Sequence, residues 1–172
     1  MMLLDRRRFL LVVGLSVFAV PAQAQKHVPQ APRDIVVEIY EISAGKSGKY
    51  DGPSAFSDKK IRKLYFSKSL AAAVAAMEKK SAKANEPILD FDPITNSQDP
   101  LVKDLVIEDE TKDDSKAVII ARFWSNDAKD ASLVRYHFVK EGKAWKLDEI
   151  TGNDRGDDKA APWSLRAIMK GG

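Results

Sequence analysis

The feature that most restricts the fold of this sequence is a single change of hydrophobic period. In the first half, apolar residues recur at helical spacing; from residue 102 they alternate with a period of two. Residues 35–42 read IVVEIYEI. Their β-branched side chains favour a strand, whereas Ile35, Ile39 and Ile42 at i, i+4 and i+7 favour one face of a helix. With Asp34 to cap it and Gly45 to stop it, the segment is predicted to be a helix. Residues 43–54 hold Gly45, Gly48, Gly52 and Pro53 and read as a loop. Ser57 is then expected to cap a short helix with Ile61, Leu64 and Tyr65 on one face. Ser67 opens a third helix with Leu70, Val74 and Met77 at helical spacing and five alanines between them. Lys79, Lys80 and Lys83 complement the dipole at its far end, and Asn85 and Pro87 terminate it.

Strands are predicted at residues 102–107, 117–124, 133–140 and 145–150. Their separators are an acidic stretch at 108–115, read as a solvated hairpin tip, a polar stretch at 125–130, and the tight turn at 141–143. Connections that short require antiparallel neighbours. Residues 162–169 read as a terminal helical turn. Helices followed by a meander make an α+β domain, with N-terminal helices packed on a curved four-stranded antiparallel sheet. One domain is expected over residues 34–172.

The N-terminus reads as an address. Arg6, Arg7 and Arg8 precede an apolar run at 9–20, and Ala22-Gln23-Ala24 offers a small-x-small cleavage site. A helix of that run spans only ~18 Å, short of a ~30 Å hydrocarbon core, so no permanent membrane anchor is expected. Residues 1–24 are read as a signal peptide cleaved after Ala24, and 25–33 as a flexible leader. Paired arginines before Phe9-Leu10 favour the twin-arginine route over the general secretory route, and either delivers the chain to the periplasm or beyond. Removing 1–24 leaves 25 cations against 24 carboxylates. That balance gives no case for nucleic acid or an anionic membrane as partner. There is no cysteine, which excludes thiol catalysis, thiolate metal sites and disulfides.

The string Gly142-Lys143-Ala144-Trp145-Lys146-Leu147-Asp148-Glu149-Ile150 resembles the closing strand of many small proteins of the NTF2-like superfamily. Together with Asp92-Pro93-Ile94-Thr95-Asn96-Ser97-Gln98-Asp99, it is similar to the DUF3828 family of exported bacterial proteins, a likeness that covers roughly Asp34 to Ile150, most of the chain after residue 24. The resemblance implies a sheet wrapped on helices and an exported location. It brings no catalytic residues, because that family has no settled activity and the fold hosts both enzymes and adaptors.

The densest group of oxygen side chains lies between Asp90 and Asp99. A calcium loop would need Gly at its sixth position and Glu at its twelfth, where this chain has Thr95 and Leu101. A connector whose side chains satisfy turn backbone is the plainer reading. A third has Asn96 and Gln98 presenting amides to a ligand at the mouth of the sheet, joined by Arg122 from a strand. His137, beside Asp148 or Glu149, is the one general-base arrangement available, set against an ordinary sheet histidine. With two histidines and no thiol, neither a metal nor a cofactor is expected. The leading expectation is a non-catalytic binding or interaction module for a small molecule or a periplasmic protein. The alternatives are a cofactor-free hydrolase or dehydratase using His137, and an inhibitor or immunity-like protein that occupies a partner's cleft.

Overall fold

A computed structural model of the chain describes residues 31–45, 49–50, 52–98, 101–124, 131–153 and 162–171. The expected signal peptide and most of the expected leader lie outside these residues. Helix α1 (Pro32–Ala44) starts inside the expected leader because Pro32 occupies its first turn, where a missing N–H costs nothing. Ile35, Val36, Ile39 and Tyr40 form its buried stripe, so helical periodicity overrides the β-branched composition. Helix α2 (Lys59–Tyr65) is capped by Asp58, not Ser57: Oδ1 accepts from Lys60 N and Ile61 N at 2.6 and 3.2 Å. Leu64, expected on its buried face, is 44% exposed. Helix α3 (Lys68–Ala84) is capped by Ser67, buries Leu70, Val74 and Met77, and ends on Asn85 in the left-handed region.

Among the described residues the sheet has five strands rather than four, in the order β1 (Lys103–Lys112), β2 (Lys116–Trp124), β3 (Ser132–Glu141), β4 (Ala144–Gly152) and β5 (Trp163–Ser164). All pairs are antiparallel, and β1 and β5 are the open edges. Two residues are too few to show a period, which is why β5 was hidden inside an expected helical turn. Helix α4 (Leu165–Gly171) follows it directly. The acidic stretch is also not a loop throughout. Strand β1 runs on to Lys112, and the turn is confined to Asp113-Asp114-Ser115, where Asp113 Oδ1 accepts from Ser115 N and Lys116 N at 2.7 Å. Those bonds hold the Asp113 carboxyl below its usual range.

The inner face of the sheet presents Ala117, Ile119, Ala121 and Phe123 from β2, Val134, Tyr136 and Phe138 from β3, and Leu147 and Ile150 from β4. Helix α1 covers β1 and β2, while α2, α3 and α4 lie over β4. Where helices and sheet meet, buried aromatic rings pack against one another. Tyr40 packs edge-on against Phe123 and Tyr136, with centroids 5.9 and 6.2 Å away. The Tyr40 hydroxyl donates to Ile94 O at 2.8 Å, and the Tyr136 hydroxyl donates to Tyr40 Oη at 3.0 Å. Burial pushes both phenols well above their ordinary pKa, so both stay protonated. The connector at 92–97, closed by a bridge between Asp92 and Ser97, plugs this end of the core with Ile94. Trp145 sits half-buried at the rim of the core under the Lys140 ammonium, 5.0 Å from its ring.

Candidate functional site

The pleat sends alternate residues of the same strands to the other side of the sheet. On this outer face the register aligns three rows. Glu108, Ile120, Arg135 and Thr151 form one; Val106, Arg122 and Leu133 form the next; Val118, His137 and Glu149 form the third. Ile120 and Leu133 are buried there, at 7% and 5% exposure, although they belong to no part of the main core. They line a depression of about 280 Å3 together with Glu110, Arg122, Arg135, Asn153 and Pro162.

The two arginines differ in how firmly they are held. Arg135 stands opposite Ile120, and its Nε donates to both oxygens of Glu110 at 3.0 Å, so the pair spans β2 and covers Ile120. Glu110 is the extra residue where the β1–β2 register shifts between Asp109 and Thr111, and that bulge re-aims its carboxylate. Arg122 meets Glu108 only at 3.7 Å, and both side chains are substantially exposed. That distance is ionic contact without a hydrogen bond. Arg122 therefore offers its donors beside an apolar floor, which is the chemistry that takes up an anionic group next to an apolar one.

His137 lies one row away. Its Nε2 is 2.9 Å from Thr151 Oγ1, and burial pulls its pKa down against the opposing pull of Glu149 and Glu110. The carboxylates expected to orient it are committed elsewhere. Asp148 is the extra residue of a bulge, since His137 pairs with Glu149 and Phe138 with Leu147. It accepts from the Ser67 hydroxyl and from Arg166 Nη2 at 2.8 Å. Glu149 accepts from Ile150 N and Ser164 Oγ at 2.9 Å and from Arg166 N at 3.2 Å. These two acids tie the starts of α3 and α4 to β4.

Asn96 is held at both ends of its amide. Its Nδ2 donates to Asn153 O and its Oδ1 accepts from Trp163 Nε1, both at 2.9 Å. With φ at 50° it also makes the turn of the connector. It thus stands one hydrogen bond behind Asn153 and the depression, while Gln98 is exposed on the connector. Arg122 alone of the three expected contacts lines the depression. Thr95 is buried, and its hydroxyl makes no hydrogen bond among the described residues; Asp99 lies outside them. Asp92 Oδ1 accepts from Ile94 N at 2.9 Å, and burial raises its pKa. Among the described residues no three His, Asp or Glu side chains gather as metal ligands would.

Arg135, Glu110 and the Ile120–Leu133 floor were not singled out from sequence. The signal was present for the floor, because Arg122 and Arg135 each flank an apolar residue on the outward phase of β2 and β3. Comparison of the chain with protein-family models, with curated proteins and with solved structures finds no match in any of the three. No helix among the described residues is long and apolar enough to cross a membrane.

Proposed function

We propose that this chain is an exported, non-catalytic binding or interaction module of NTF2-like, DUF3828-like kind, and that it recognises its partner through the outer face of the sheet. The observation that carries this reading is the depression over Ile120 and Leu133 with the loosely paired Arg122 at its edge. Its volume of about 280 Å3 lies just under the ~300–1,000 Å3 of sites that enclose a small molecule. It suits one anchoring side chain of a protein partner, with a neighbouring carboxylate on Arg122. The exposed Val106 and Trp124 extend the same face. Commitment of Asp148 and Glu149 to the helix starts favours binding over a histidine-based hydrolase or dehydratase.

Export rests on residues 1–24, and intact-mass measurement of the exported form should find Gln25 first. If the twin-arginine route is used, replacing Arg6 and Arg7 by Lys blocks export. For the site, the exported chain is used as bait and both proteins and small molecules are read by mass spectrometry. Arg122→Glu should abolish specific capture, whereas Gln98→Ala should leave it unchanged. Capture that survives Arg122→Glu removes the outer face from the proposal.

A further inference from the structure

The near-zero charge of the chain without residues 1–24 conceals a strong segregation. Residues 58–83 carry eight cations against two carboxylates, and residues 103–114 carry six carboxylates against two cations. The fold places these stretches on opposite sides. Helices α2 and α3 lie over β4, where Phe66 bridges to Leu147 and Ser67 N donates to Leu147 O at 2.8 Å. The acidic β1 is the far edge strand, three strand spacings or about 14 Å away. Helix α1, over β1 and β2, adds Asp34, Glu38 and Glu41 to the acidic side.

On the basic side, Arg62 Nη1 donates to Glu78 Oε1 at 2.8 Å and ties α2 to α3. Glu78 is thereby engaged within the hairpin, as is Asp58 in capping α2. At about 100° per residue, Lys59, Lys60, Lys63 and Leu64 fall within one outward arc of α2. Lys68, Lys79, Lys80 and Lys83 fall within one arc of about 120° on α3, centred opposite Leu70, Val74 and Met77. All these lysines are exposed. Lys146 Nζ donates to Leu64 O and joins the β3–β4 hairpin to the patch.

We propose that the α2–α3 hairpin is a docking surface for an anionic lipid bilayer, on which the molecule rests with its acidic β1 edge turned away. Three features select lipid over a protein partner. The cations are almost all lysine, a hydrated point charge that is depleted at protein interface cores. They are spread over two helical turns and more instead of ringing a pocket. Leu64, 44% exposed, is an apolar group set among them, suited to the headgroup boundary. The attraction is reversible and peripheral, and it leaves the outer sheet face open to a partner.

The test is sedimentation of the exported chain with phosphatidylcholine vesicles, with and without phosphatidylglycerol. Binding should require the anionic lipid and fall steeply as salt rises past ~0.15 M. Each lysine removed should cost about fivefold in partitioning, so Lys59→Ala/Lys60→Ala/Lys63→Ala together should cost about a hundredfold. Lys79→Ala/Lys83→Ala serves as a second variant on the other helix, and circular dichroism confirms that both variants fold. Lys103→Ala/Lys112→Ala on the acidic edge should change binding less than twofold. Equal binding to neutral vesicles, or equal loss with the edge variant, overturns the proposal. So does competition in which polyglutamate or DNA binds the same lysines more tightly than the vesicles do.

Discussion

The inner and outer faces of the sheet are built by the same strands one residue out of phase, yet they solve opposite problems. Inside, Phe123 and Tyr136 are sealed from water, and the two buried phenols satisfy one another and Ile94 O. Outside, one residue along, Arg122 and Arg135 lie over two buried aliphatic residues with ion pairs of unequal quality. A sealed face must satisfy every polar group internally. A half-open one can leave donors for something else. Changes inside should therefore register as stability, and changes outside as recognition.

The sharpest way to break this contrast is Phe123→Ala. Loss of a fully buried ring should cost about 3–5 kcal/mol, read from the denaturant midpoint. A cost near that of a surface change would mean that the inner face is not the core. Gly152→Ala tests the junction of the two faces. A Cβ there would stand 2.5 Å from the Trp163 ring, so the indole must leave Asn96. The expected loss is about 1–3 kcal/mol, with a shift in tryptophan emission.

Acidity supplies a smaller effect on the outer face. The His137 pKa is lowered in the folded protein, so the unfolded chain binds the extra proton more readily. The stability this gives is complete above the unfolded value near ~6.5. It is lost as the pH falls below that value towards the folded pKa. His137→Gln should flatten the stability profile over that window. An unchanged profile would show that His137 is not held neutral by burial.

Much of this contrast was legible in the sequence, and what was not has physical causes. Alternation in β2 and β3 assigned each residue to a face, but it did not say which face was core. The answer came from α1, whose Tyr40 meets Phe123 and Tyr136. Ser67 was readable as a cap because a Ser before a periodic run is a local signal. Asp148 was not readable as an anchor for α3 and α4, because its orientation depends on a bulge that only the pairing partner reveals. Likewise β5 owes its existence to Gly152 and Thr151 across the ladder, not to its own two residues. The charge segregation was plain in the residue order but vanished in the net charge.

The claim that the outer face recognises and the inner face holds the fold together is met most directly by Arg122→Ala, measured for unfolding free energy and partner capture on the same preparation. The account predicts a stability change within about 0.5 kcal/mol and loss of specific capture. Capture at the level of the unchanged chain, or a stability loss approaching that of Phe123→Ala, would contradict it.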